Sequence, residues 1–277
     1  MIAFLLIPAF VMAGDLPLPK EVAAKAVVIK SDRDGLWEKT LVVRFPNIRR
    51  MLSTNDGLIN GTVAANHAAH PKLWQKVDEE LKTSYETGDK IYMKEIKGNI
   101  AGTYNVRIED VALMATAADM DNLAIVTKTF GPFVVTALVT AGAETNAIRT
   151  GVDKGSYIEP YSHAQDRKQS AGPKSGTINV MLLTNACITS GGMARAIITA
   201  TEAKTAALED LHVPSSYTKT VQATGTGTDT MIIVSGTVGP LVTYTGGHSK
   251  IGELIGTAVH EAVLEALEKQ NGFTIKH

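Results

Sequence analysis

GTINVMLLTN, residues 176–185, is an apolar run closed off by a glycine and an asparagine. Its length and its bounding turn residues make residues 177–183 a buried strand rather than a helix. Downstream, residues 191–211 have helical spacing and residues 231–235 form a second apolar strand. Residues 249–269 form a closing helix with Ile251, Leu254, Ile255, Ala258 and Ala262 on one stripe. Upstream, Gly131-Pro132 separates two β-branched runs, 123–130 and 133–140, which read as strands. Residues 108–118 and 71–83 read as helices, the latter through Leu73, Val77 and Leu81. Residues 23–30 and 39–45 read as strands around a turn at 32–35, with Pro46 ending the second. Residues 55–61 read as a loop rich in Gly and Asn, and residues 150–175 as a long polar loop. Strands and helices mix without strict alternation and no repeat is present. The expected class is α/β or α+β, a layered mixed sheet flanked by helices in a single domain.

The chain has 277 residues, 44% of them hydrophobic, with 27 basic against 28 acidic side chains. That balance offers no basic footprint for nucleic acid. One cysteine, Cys187, excludes an internal disulfide and a cysteine-based zinc site. It reads as a buried inert thiol, with a nucleophile as the alternative. His67, His70, His163, His212 and His277 show no metal-ligand spacing, so neither a protein-bound metal nor a cofactor is expected. Residues 2–13 are almost all apolar and end in Val11-Met12-Ala13, which resembles a secretory leader, although no Lys or Arg precedes the run. The run is too short to span a bilayer. The expectation is a leader over residues 1–13 and one domain over residues 14–277. The protein is then exported or periplasmic if the leader is removed, and cytoplasmic if it is a buried first element.

Several positions carry chemistry. On the 191–211 helix, Lys204 falls on the same stripe as Ile197, Thr201, Leu208 and Leu211. Such a lysine either snorkels to water or meets a partner, where it can transfer a proton or hold a carboxylate. Glu202 lies on another face, and a solvated pair with Arg195 is its plainer reading. The loop Ala223-Thr224-Gly225-Thr226-Gly227-Thr228-Asp229 leads into a strand. Its small residues allow close backbone approach, and successive N–H groups can bind an oxyanion or a carbonyl oxygen. Asp229 closes the loop, as a water-activating carboxylate or as a local turn former. It is not a dinucleotide fingerprint, because a strand rather than a helix follows. His248 precedes the last helix, where the dipole favours neutral imidazole, suited to a general base or to a simple cap. His260 reads as a surface residue. Asn146 and Arg149, after a strand and a glycine turn, can offer donors to amide groups.

These blocks together resemble the adenosylcobinamide amidohydrolase family. The matching segments are TAG at 140–142, Asn146-Ala147 with Arg149, and GTIN at 176–179. They continue with ITATEAKTAAL at 198–208, ATGTGTD at 223–229 and HSKIGELIG at 248–256. TLVVRFPNIRRMLS at 40–53 is similar to the family's opening strands, so the likeness spans about residues 40–270. Three departures bear on substrate choice. Val152 separates Gly151 from Asp153, Thr230 stands where a glycine is frequent, and residues 55–61 lack a double glycine. The resemblance implies hydrolysis of the aminopropanol amide of adenosylcobinamide to a cobyric acid, in corrinoid salvage. Cobalt would arrive with the substrate. Asp229 or His248 would activate water, and Lys204 or His248 would protonate the amine, with Glu202 next in line. Asn146, Arg149, Thr177, Asn179, Thr224, Gly225, Thr226, Gly227 and Thr228 would bind substrate. Two rivals stand beside this: a non-catalytic corrinoid-binding protein acting with an uptake system, and an amidase for another bulky amide. Oligomeric state is left open.

Overall fold

The structure is a computed structural model and describes residues 11–83, 86–155 and 176–275. In chain order the elements are β1 (Val11–Leu16), β2 (Lys25–Arg33), β3 (Leu36–Ser53), β4 (Gly57–Ala69), α1 (Pro71–Leu81) and α2 (Gly88–Tyr104). Next come β5 (Val111–Thr116), β6 (Ala124–Phe130), β7 (Phe133–Ala141), β8 (Ile178–Thr184) and β9 (Cys187–Ile188). The chain continues with α3 (Ser190–Asp210), β10 (Thr230–Val234), β11 (Leu241–Val242) and α4 (Lys250–Asn271). The main sheet has 9 strands, and β9 and β11 form a small parallel pair apart from it.

The 18-residue β3 is the spine of the sheet. Its first part pairs antiparallel with β2 and β4, and its last part pairs with β4 and β10. From β10 the order runs through β8 and β7 to β6, while β5 adds parallel to β4. The sheet therefore curls into two facing halves. Period-2 alternation sorts their side chains. Leu41, Val43, Ala64, Met114, Leu138, Met181 and Ile232 fill the space between the halves. Val42, Val63, Ala65, Val111 and Leu113 face outward under α1 and α2. Val139, Val180, Leu182 and Ile233 face outward under α3 and α4. The result is a helix–sheet–sheet–helix stack in which every sheet face is covered. The expected mixed α/β class with a layered sheet is present, and the stripe Ile251, Leu254, Ile255, Ala258 and Ala262 is buried on α4.

Three local readings need correction. Pro46 does not end a strand. β3 runs through it, with the register shifting between Arg44 and Arg49, and a bulge is where a strand accepts a residue that lacks an N–H. Residues 55–61 are not a loop: the turn is confined to 54–56 and β4 begins at Gly57. Residues 108–118 are not a helix. A 3-10 turn at Ile108–Asp110 leads into β5, whose two faces are both buried, so its apolar residues run without the gaps of a half-exposed strand. The helix of this region is α2 instead, unrecognised because Gly88, Gly98 and Gly102 depress its propensity. β1 begins at Val11, so the expected leader overlaps this strand and otherwise lies outside the described residues. His163, His277 and positions 156–175 of the polar loop also lie outside them. No described helix is long and apolar enough to cross a membrane.

Candidate functional site

β8 and β10 run parallel, with Thr230 beside Asn179, so their first residues lie side by side at one end of the sheet. The 223–229 loop enters β10 at this end. It is fixed first by backbone: the N–H groups of Ile148 and Thr224 donate to Gly225 and Ile148 carbonyls, each at 2.8 Å. Asp229 gathers the loop around its carboxylate. It accepts from the Ile178 N–H at 3.1 Å, from the Thr226 N–H at 3.2 Å and from the Thr226 hydroxyl at 2.5 Å.

The remaining donor is Lys204, whose ammonium makes an ion pair with Asp229 Oδ2. Lys204 is 5% exposed, on the face of α3 that carries Ala200, Ala207 and Leu208 into the core. Of the stripe companions expected for it, Leu208 and Leu211 are buried, Ile197 is half-buried and Thr201 faces solvent. Lys204 does not snorkel; it meets its partner. An ion pair this sheltered is held by geometry, because each charge needs the other once water is gone. Gly225 makes the geometry possible: a methyl group there would collide with Asp229 Oδ2 and Lys204 Nζ. At the loop's exposed tip, Gly227 has φ of 76°. The N–H groups of Gly227 and Thr228 make no hydrogen bond among the described residues.

A polar bracket holds the tip. Asn146 donates to the Gly176 carbonyl at 2.9 Å and to Thr228 Oγ1 at 3.4 Å, and accepts from the Tyr217 hydroxyl at 3.1 Å. Thr177 donates its hydroxyl to the Thr228 carbonyl at 2.7 Å. Thr224 accepts from the Thr150 N–H. Asp153 ties the 149–153 turn to the 215–218 turn, accepting from Thr218 and Ser215 hydroxyls and the Arg149 N–H. Those bonds, led by that from Thr218, hold the Asp153 carboxyl below its usual range. Arg149 itself donates to the Gln222 carbonyl at the rim.

Asn179 is placed differently from the rest of this set. It is wholly buried between the two sheet halves, donating to Asn66 Oδ1 and the Ala115 carbonyl and accepting from the Thr230 hydroxyl. Asn66 in turn donates to Thr140. With its amide committed, Asn179 supports the floor of the site. His248 lies at the other end of the strands. Just before it, Thr245 donates to the Gly192 carbonyl in the first turn of α3. Just after it, the Lys250 ammonium sits 4.6 Å from the centre of the Phe130 ring at the β6–β7 turn. β8 is 7 residues long, which separates its two ends by about 20 Å. His248 is exposed there, and Ser249, not His248, caps α4. Glu202 is exposed on α3, and Arg195 stacks on Tyr244 rather than pairing with it. His260 pairs with Asp210 at 2.8 Å. Cys187 is a partly exposed free thiol.

The sequence reading missed Tyr217, Ser215, Thr218 and Asp153, which order the rim. Their signal was weak, since each sits in a polar turn of ordinary composition. No cluster of His, Cys, Asp or Glu suited to a metal occurs among the described residues.

Comparison with known proteins gives three findings. The profile of the adenosylcobinamide amidohydrolase family matches residues 25–275. An uncharacterized protein of Methanocaldococcus jannaschii, MJ1613, is 41% identical over 247 residues, covering 87% of this chain and 91% of its own. The crystal structure of the PH0078 protein from Pyrococcus horikoshii aligns over 94% of this chain and 90% of its own at a TM-score of 0.45 and 11% identity.

Proposed function

The chain belongs to the adenosylcobinamide amidohydrolase family, and from that membership we propose that it hydrolyses the aminopropanol amide of adenosylcobinamide, yielding adenosylcobyric acid for corrinoid salvage. The observation that carries the reading is the sheltered Lys204–Asp229 pair inside a glycine–threonine loop. Amide hydrolysis needs donors for a tetrahedral oxyanion, a base for water and an acid for the amine. In this proposal the free N–H groups of Gly227 and Thr228 receive the amide oxygen. Asp229 takes a proton from water, displacing one of its present donors as it does so. Lys204 protonates the departing amine, and its direct contact with Asp229 lets the proton return. Asn146, Thr177, Thr224, Thr226 and Arg149 hold the loop and rim against which the substrate arm lies. His248 and Glu202, outside this cluster, take no part in the chemistry.

Mass spectrometry of adenosylcobinamide after incubation with purified protein tests the reading. Free aminopropanol and a cobyric acid are expected, and Lys204→Met should abolish both. Binding of the corrinoid with no aminopropanol released would make the protein a carrier.

A further inference from the structure

On the far side of the sheet from Lys204, a cavity of about 50 Å³ lies beneath α2, lined by Ser31, Arg33, Glu38, Thr40, His67 and Asn99 among others. It is bordered by a chain of side chains from the outward face of β3 and β4 and from Tyr92 of α2. Thr40 Oγ1 is 2.8 Å from His67 Nδ1, His67 Nε2 is 2.8 Å from the Tyr92 oxygen, and that hydroxyl is 2.5 Å from Glu38 Oε1. Glu38 also takes the Ser31 hydroxyl at 3.2 Å and lies 3.3 Å from Arg33 Nε. Glu38, His67 and Tyr92 are all buried.

The direction of every bond in this chain follows from its end. A carboxylate surrounded by donors only accepts, so the Tyr92 hydroxyl donates its hydrogen bond to Glu38. The Tyr92 oxygen then accepts from His67 Nε2–H, which leaves Nδ1 as an acceptor for the Thr40 hydroxyl. Burial, with the nearby Arg33 charge second, lowers the His67 pKa to about 3, so the ring stays neutral. Burial and the bond to Glu38 raise the Tyr92 pKa, which keeps its proton in place. A hydroxyl aimed at a base that a further group orients is the arrangement of an activated nucleophile. Thr40 also lines the cavity.

We propose that this cavity is a second acyl-transfer site, separate from the Lys204 loop, with Thr40 as nucleophile and a short acyl group, formyl or acetyl, as its substrate class. The volume sets the size limit, since it holds about one or two waters' worth of matter. In the step, Thr40 Oγ bonds to the acyl carbon as its proton passes to His67 Nδ1. The Nε2 proton moves to the Tyr92 oxygen and the Tyr92 proton to Glu38. No imidazolium accumulates, and the negative charge leaves Glu38 for the tetrahedral oxygen, in a cavity whose wall includes Asn99. Collapse breaks the bond to the leaving alcohol or amine, which recovers the proton through the chain. Water then cleaves the Thr40 ester by the same route and releases the carboxylic acid.

p-Nitrophenyl acetate is the probe, its acetyl group falling within the size limit. Peptide mass spectrometry should find an acetyl group on Thr40 in native protein and none there in urea-denatured protein. Thr40→Val should remove it and Thr40→Ser should keep it. Tyr92→Phe preserves the ring but interrupts the chain, and should slow acetylation at position 40 by about 10²-fold or more. Because water also cleaves the Thr40 ester, samples are acid-quenched at early times. Native wild-type protein that carries no acetyl on Thr40 at any time and releases no more acetate than Thr40→Val overturns the proposal. So does a folded Tyr92→Phe protein that labels as fast as wild type.

Discussion

Asp229 accepts from Lys204, Thr226 and Ile178 together, so its replacement has two separable effects. Asp229→Asn keeps the shape and removes the charge. Turnover of adenosylcobinamide should fall by roughly 10²–10⁴-fold, the range of general-base catalysis. Corrinoid affinity should persist, because the tip N–H groups are unchanged. Lys204 would also be left as a buried unpaired cation, costing on the order of 3 kcal/mol in urea unfolding. Adding Lys204→Met should recover much of that stability and none of the turnover. Near-normal turnover in Asp229→Asn would move the base elsewhere. His67 gives a residue-scale prediction of another kind. In the unfolded chain it takes a proton below about pH 6.5, whereas in the fold it resists until about pH 3. Between those values the unfolded state binds more protons, so stability declines as pH falls; above the window both states are neutral and the contribution vanishes. The urea midpoint of wild type should therefore drop between pH 7 and pH 4.5 by more than that of His67→Gln, and equal drops would refute the assignment.

Strands and helices differ in what their glycines tolerate. Gly61 lies in β4 where a methyl group would collide with the Asp110 backbone, so Gly61→Ala should cost about 1–3 kcal/mol in denaturant unfolding. Gly256 lies inside α4 with open space around the same position. Gly256→Ala should therefore stabilise by about 0.5–1 kcal/mol. A common sign for the two would contradict this packing. The same physics explains which elements could be read from sequence. β7 and β8 were legible as short apolar or β-branched runs bounded by turn residues, and α3 and α4 from their helical spacing. β5 was not: Ala, Leu and Met favour helix, and only its parallel pairing with β4, beneath α2, makes it a strand. Propensity yields to burial there. At the site, Lys204 was legible because a charge interrupts an apolar stripe. The distance between His248 and Asp229 was not, because it depends on strand direction.

The two sheet halves share one interior, and a hydrogen bond from Asn179 to Asn66 crosses it at 2.8 Å. Trp74 packs under α1 and α2 and Trp37 against the interior between the halves, so tryptophan fluorescence follows β3 and the α1–α2 side, whereas far-ultraviolet circular dichroism also reports α3 and α4. With a common core, the two signals should change at one denaturant concentration. An earlier tryptophan transition would mean that the halves unfold independently. β3 is what joins them, one strand hydrogen-bonded into both. Along a strand, one added or lost residue exchanges the core-facing and outward-facing sets for everything beyond it. In β3 that exchange would expel Leu41 and Val43 or Met51 from the interior. The register shift between Arg44 and Arg49 is the place where the pairing already skips. Descent with altered length in this strand should thus be confined to the few positions around Pro46, and related chains should carry their insertions and deletions there.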